Sequence, residues 1–120
     1  MGLDTSHDCW HGSYGSFNRW RTKLCEVAGY GALDERIGFG GEKPWPDNDP
    51  LVILLHHSDC DGEIEAKDCA PIADRLESLI PALRIAGDGG GHIGDYAEKT
   101  EAFIAGLRAA SEAKESVVFH

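Results

Sequence analysis

The spacing of apolar residues along the chain predicts three helices. Ser13 is of a type that caps helices, and the apolar positions that follow it at intervals of three and four predict a helix to about residue 27. A second helix is expected from about Asp68, with Pro81 distorting or ending it. Asp95 is the predicted cap of a third helix that continues to about residue 110.

Two short apolar runs predict strands. Residues 51–56 (LVILLH) form a continuous apolar run that is typical of a buried strand, and the tail 116–120 (SVVFH) is a second candidate that could pair with it. Residues 1–11 could add a third strand, whereas residues 34–50 and 84–94 are rich in Gly, Pro or Asp and are predicted loops. The pattern predicts one α+β domain over 1–120, with about three helices packed on a small sheet of two to three short strands.

The charge balance excludes several classes of partner. The chain has 21 Asp and Glu residues and 11 Lys and Arg residues. Its net charge of −10 disfavours binding to long nucleic acids and to anionic membrane surfaces. No apolar run approaches the roughly 20 residues that span a bilayer, and the N-terminus lacks the features of a signal peptide. A cytoplasmic protein with reduced cysteines is therefore expected.

The first thirty residues differ from the rest because their charges balance. They contain the only dense basic cluster, which is formed by Arg19, Arg21 and Lys23. In an acidic protein such a cluster could hold a small anion, and the alternative is an ordinary solvated helix face.

Histidines concentrate in two polar segments outside the predicted helices. In the first, DTSHDCWHG, an extended chain would direct His7, Cys9 and His11 to one face, a spacing that suits zinc or a similar metal. The alternative is that these rings hydrogen-bond the backbone. Trp10 in this segment, and Trp45 in the proline-rich loop, could each stack on a flat ring.

The second polar segment, HHSDCDGEIEAKD, spans residues 56–68. After a strand, its His-x-Asp-x-Asp-Gly pattern resembles the first motif of the DHH phosphoesterases, which implies a divalent metal on His57, Asp59 and Asp61. Counted from His57 to Asp68, the same residues also have the spacing of an EF-hand calcium loop. The alternative to both is a metal-free turn that leads into the second helix.

Two further features allow other chemistry. The glycine-rich stretch 87–92 precedes a helix and could cradle a phosphate through its backbone N–H groups, although a flexible loop has the same composition. Cys9 and Cys60 each have histidine neighbours in the sequence and are candidate nucleophiles.

Three blocks of sequence together resemble a family of small uncharacterised proteins of phages, prophages and bacteria. They are MGLDTSHDCWHGSYGSFNRWR, HHSDCDGEI and KTEAFIAGLRAASEAKESVVFH, and they cover most of the chain. The family brings no known catalytic residue. The resemblance implies a phage-type accessory protein in the host bacterial cytoplasm, where such proteins counter host defence by sequestering or cleaving nucleotide immune signals.

The sequence thus supports three hypotheses of function. The first is a protein that binds a small nucleotide-type ligand, and the alternatives are a metal-dependent phosphoesterase on a small nucleotide and an inhibitor that binds a protein partner through its acidic surface. The composite site that the first two assume forms only if the N-terminal segment meets residues 56–61 in space. The expected ligand-binding residues are His7, Trp10, His11, Arg19, Arg21, His57 and Asp59, and the expected metal ligands are His57, Asp59 and Asp61.

Overall fold

The computed structural model describes residues 2–46, 48–58, 61–86 and 95–120. Within these ranges the chain forms four helices and two small antiparallel sheets, which confirms the predicted α+β class. In chain order the elements are β1 (Gly2–Asp4), β2 (His11–Ser13), α1 (Tyr14–Val27), α2 (Leu51–Leu55), β3 (Glu63–Ile64), α3 (Ala66–Ala86), α4 (Tyr96–Ala113) and β4 (Val117–Val118). Single 3₁₀ turns occur at Ser6–Asp8 and Leu33–Glu35.

The predicted helix caps of α1 and α4 are confirmed. The Ser13 hydroxyl accepts a hydrogen bond from the backbone N–H of Ser16 at 3.0 Å. The Asp95 carboxylate accepts from the N–H of Ala97 at 2.8 Å. Both bonds satisfy N–H groups that a helix leaves without internal partners.

Helix α3 is longer than its prolines suggested. It continues through Pro81 to Ala86, so Pro81 does not end the helix. Buried Leu79 and Leu83 flank the proline and pack into the core. Their burial on both sides holds the two halves in one helix and offsets the hydrogen bond that the proline removes.

The expected strand at 51–56 is also wrong, because this segment forms helix α2. A short apolar run has no periodicity that separates a buried strand from a buried helix. At the start of the helix, the Asp49 carboxylate accepts a hydrogen bond from the N–H of Leu51 at 2.9 Å. Leu51, Leu54 and Leu55 are buried while Ile53 is 38% exposed, which is a helical pattern of burial.

The tail and the N-terminal segment do contribute strands, although the tail has different partners from those expected. Strands β1 and β2 form a hairpin, and β3 pairs with β4. The tail joins the two sheets, because the Asp4 N–H donates to the His120 carbonyl at 3.0 Å and the His120 N–H donates back at 2.8 Å. The tail therefore lies between the N-terminal hairpin and the segment around β3.

Aromatic rings fill the centre of the core. Trp20 on α1 stacks on Trp10 with ring centroids 5.0 Å apart, and it also contacts Phe103 on α4 at 4.8 Å. Phe17 contacts Phe119 of the tail at 5.8 Å. These contacts fix α1, α4 and both termini around one core. None of the helices in the described ranges is long and apolar enough to cross a membrane.

A candidate ligand-binding cleft

A cleft of about 390 Å³ opens where the end of α2 meets α1 and the loop that contains Phe39. We call it the histidine cleft, because two adjacent histidines form one of its sides. Its lining residues are Asn18, Arg21, Gly38, Phe39, His56, His57 and Ser58. It contains two of the residues that the sequence singled out, Arg21 and His57.

Arg21 lies in the wall of the cleft and is 2% exposed. Its guanidinium donates to the Leu55 carbonyl at 3.2 Å, to the His57 carbonyl, and to the side-chain oxygen of Asn18 at 2.9 Å. It also lies over the ring of Phe17, 4.6 Å from the centroid. Arg21, which was expected to bind a small anion, thus joins α1 to the segment that follows α2 and fixes the geometry of the cleft.

His57 ties together the two sides of the turn between α2 and β3. One ring nitrogen lies 2.8 Å from the Ser58 carbonyl and the other 3.0 Å from the Glu63 carbonyl. The ring also packs on Phe119 with centroids 4.1 Å apart. Because a carbonyl oxygen only accepts, ligation of a metal by His57 would require one of these hydrogen bonds to break.

The mouth of the cleft is bordered by an aromatic wall, which we define as Phe39, Trp45 and His56. The ring centroids lie 5.6 Å apart for Trp45 and His56 and 6.4 Å apart for Phe39 and His56. The Trp45 indole N–H donates to the Ile37 carbonyl at 2.9 Å. His56 is exposed and the other two rings are half-buried, so each ring keeps some surface in contact with solvent. The Arg21 guanidinium lies over the Phe39 ring at 5.4 Å from its centroid, and the Arg36 guanidinium lies over the Trp45 ring at 5.8 Å.

The loop that carries this wall is held in place by polar contacts and by one glycine. The Arg36 guanidinium donates to the carbonyls of Tyr30 and Pro44, both at 2.5 Å. Gly38 has a φ of +95°, and a Cβ there would lie 2.7 Å from Nε2 of His56. A side chain at this position would therefore strain the backbone and push His56 away.

The expected face of the N-terminal segment does not form. Residues Ser6–Asp8 make a 3₁₀ turn in which His7 and Asp8 have φ values of 61° and 55°, so the chain is not extended there. Cys9 is turned into the core, and burial raises the pKa of its thiol to about 12. His11 is exposed and pairs with Asp4. The segment therefore cannot direct His7, Cys9 and His11 to one ligand.

Trp10, expected to be free for stacking, is instead a core residue that is 3% exposed. Nδ1 of His7 lies 3.0 Å from the Ser6 hydroxyl, and Nε2 lies 2.9 Å from the Glu115 carboxylate. Arg19 is exposed and lines a different groove, beside Lys23 and Tyr96. The histidine cleft is lined by none of these residues, so the expected composite site of the two polar segments is not the site that the structure forms.

The metal predictions remain predictions. Asp59 and Cys60 lie outside the described residues, as does the glycine-rich stretch 87–92. Asp61 is exposed, and its N–H lies 3.4 Å from the Ser58 hydroxyl. Among the residues that are described, no group of three His, Cys, Asp or Glu side chains is placed to hold a metal ion.

The residues of the cleft that the sequence did not assign to a site are Asn18, Gly38, Phe39, His56 and Ser58. Phe39 and Trp45 are aromatic residues in a polar loop rich in Gly and Pro, and that contrast was the signal available. Comparisons with protein-family models, curated proteins and solved structures gave no match. The function proposed below therefore rests on this chain's own residues.

Proposed function

We propose that the protein binds a small nucleotide-type molecule in the histidine cleft. The observation that carries the proposal is the aromatic wall of Phe39, Trp45 and His56 at the mouth of a polar cleft. Partly exposed aromatic rings can stack on a flat ligand, and a nucleobase is a flat ring with polar edges.

The volume of the cleft suits a ligand of this size. Its 390 Å³ lies within the roughly 300–1,000 Å³ that small-molecule sites occupy. A few polar groups in such a site set the orientation of the ligand. Asn18 is suited to this task, because its amide oxygen accepts from Arg21 and its amide nitrogen is thereby directed away from that contact.

Charge supports an anionic ligand of small size. The chain carries −10 in total, yet the Arg21 guanidinium contributes a positive charge to the wall of the cleft. A mononucleotide brings few negative charges and meets this charge locally, whereas a long nucleic acid would also meet the acidic remainder of the surface. Sequestration of a nucleotide signal, which the resemblance to phage proteins implies, is the form of this function that we propose.

A thermal-shift screen with matched ligands tests the proposal. The set contains nucleosides, their monophosphates, cyclic nucleotides and ADP-ribose, so that the contributions of the ring and of the phosphate are separated. A ligand present at 100 times its Kd stabilises the fold by about 2.7 kcal/mol and raises the Tm accordingly. Absence of a Tm increase with every member of the set would contradict the proposal.

Two histidine variants then locate the site. His56→Ala removes one ring of the aromatic wall, and loss of a stacking partner is expected to weaken binding by about tenfold or more. His11→Ala is the matched control, because His11 is also exposed but does not line the cleft. Equal affinities of the two variants would show that the ligand binds elsewhere.

A further inference from the structure

A second cavity, a groove of about 640 Å³, lies along the surface between α3 and α4. We call it the hairpin groove, because these consecutive helices run antiparallel. Its lining residues are Glu77, Ile80, Pro81, Arg84, Glu101, Ile104, Ala105 and Arg108. It is separate from the histidine cleft and plays no part in the function proposed above.

The two sides of the hairpin groove are built from related octapeptides. Residues 77–84 of α3 read ESLIPALR, and residues 101–108 of α4 read EAFIAGLR. The Glu, Ile, Leu and Arg recur at the same positions, and small residues occupy the fifth and sixth positions of both. Because the helices run in opposite directions, the two octapeptides are related by an approximate two-fold axis through the groove.

The ion pairs across the groove follow the same symmetry. Arg84 of α3 contacts Glu101 of α4 at 2.7 Å, and Arg108 of α4 contacts Glu77 of α3 at 2.5 Å. Arg108 also reaches Asp74 at 3.3 Å. Each arginine thus spans the groove at one end, and the apolar floor lies between the two pairs.

The floor of the groove is apolar and its border is electrically balanced. Ile80 and Pro81 face Ile104 and Ala105 across the axis. The four charged residues that line the groove, two Arg and two Glu, sum to zero in a chain whose net charge is −10. Ile85, just beyond the first octapeptide, is 88% exposed. An apolar, neutral surface of this kind is where another acidic molecule could approach without strong repulsion.

We propose that the hairpin groove is a contact surface for a second copy of this chain. In a two-fold dimer both subunits use the same patch, so the patch must be complementary to itself and each Arg of one copy needs a Glu of the other. This patch meets that requirement, because it carries equal numbers of Arg and Glu and already presents the same surface after a half-turn. A partner without such symmetry would match only one of the two related halves.

The size of the surface indicates a weak dimer. The two octapeptides span eight residues of each helix, which is about 12 Å of helix, and two adjacent helices are about 20 Å wide. The projected area of the groove is roughly 250 Å² on each copy, or about 500 Å² in total, which is below the roughly 1,000 Å² that a stable specific interface buries. Dimerisation is therefore expected to depend on protein concentration.

Sedimentation equilibrium of the full chain, between about 5 and about 500 µM, tests this proposal. The mean mass is expected to rise from 13.0 kDa toward twice that value as the concentration increases. Ala105→Glu places a charge on the apolar floor and is expected to raise the dimer Kd at least about tenfold. Ala102→Glu adds the same charge to an exposed alanine of the same helix that does not line the groove, and its Kd is expected to stay within about twofold.

Two outcomes would overturn the proposal. A wild-type chain that stays monomeric over the whole concentration range has no such contact. A dimer that Ala105→Glu and Ala102→Glu weaken equally forms through another surface. Thermal unfolding followed by circular dichroism verifies that both variants are folded, so that loss of the dimer is not loss of the fold.

Discussion

Gly106 of α4 provides a test of how the N-terminal turn is held against the helices. Glycine inside a helix normally destabilises it by about 1 kcal/mol relative to alanine. Gly106 is buried, and a Cβ there would overlap the Cys9 sulfur and lie 2.7 Å from the His7 carbonyl oxygen. The turn thus packs directly on the α4 backbone, and only glycine leaves room for it.

The sign of the effect of Gly106→Ala follows from two opposing contributions. The gain in helix propensity is about 1 kcal/mol, whereas overpacking a well-packed interior costs about 1–3 kcal/mol and more where backbone atoms must move. We expect a net loss of about 1–2 kcal/mol. Gly15→Ala in α1 is the matched control, because a Cβ there would meet only the Ser13 hydroxyl at 3.9 Å. That variant is expected to gain about 0.5–1 kcal/mol.

Urea unfolding followed by tryptophan fluorescence measures both effects. With a slope of about 1–2 kcal/mol per molar urea, the two midpoints are expected to move in opposite directions and to end about 1–2 M apart. The reasoning would be refuted if Gly106→Ala stabilised the protein as Gly15→Ala does. That result would mean that the turn does not pack on α4.

Three further predictions concern stability and reactivity. Asp49→Asn is expected to cost about 2–3 kcal/mol in unfolding free energy, because the carboxylate accepts from Tyr30, Leu51 and Arg75 and is only 10% exposed. Burial raises the pKa of Asp49, but these hydrogen bonds lower it by more, so the net pKa lies below the ordinary value of 3.8. The unfolding free energy of the wild type should therefore fall as the pH drops below 3.8, and acid titrations should show a smaller fall for the variant. Cys9, with its thiol pKa near 12, should resist iodoacetamide until urea unfolds the protein, and labelling of this residue under native conditions, detected by mass spectrometry, would contradict its burial. Asp8→Gly should raise the unfolding free energy by about 0.5–1 kcal/mol, because Asp8 is exposed with a φ of 55°, and an unchanged urea midpoint would mean that this backbone is unstrained.

Local signals in the sequence were sufficient for the helices that begin with a side-chain cap. Ser13 and Asp95 act through hydrogen bonds within three residues of their own position, so their effect can be predicted without the fold. The sequence predicts a strand at 51–56 because five successive residues, 51–55, are apolar. The Asp49 carboxylate that accepts from the Leu51 N–H is a local signal, but Arg75 of α3, which donates to the same carboxylate, is not visible in local sequence.

The site was only partly predictable for a similar reason. The sequence identified Arg21 and His57, which do meet at the cleft, but it could not show that the Arg21 guanidinium is held by carbonyls that follow α2. Trp10 lies in a polar segment, yet Gly106 allows that segment to pack closely on α4, and the Trp10 ring is buried there. Burial of this kind is decided by packing between distant elements rather than by neighbouring residue types.

The most direct test of the histidine cleft uses the three tryptophans as reporters. Only Trp45 belongs to the aromatic wall, whereas Trp10 and Trp20 are core residues that are 3% and 0% exposed. In a ¹H–¹⁵N correlation spectrum each indole N–H gives one signal, and Trp45→Phe assigns the signal of Trp45. On titration with a nucleotide that stabilises the protein, the Trp45 indole signal should shift progressively while the other two stay in place. Binding that leaves the Trp45 signal unmoved would contradict the account.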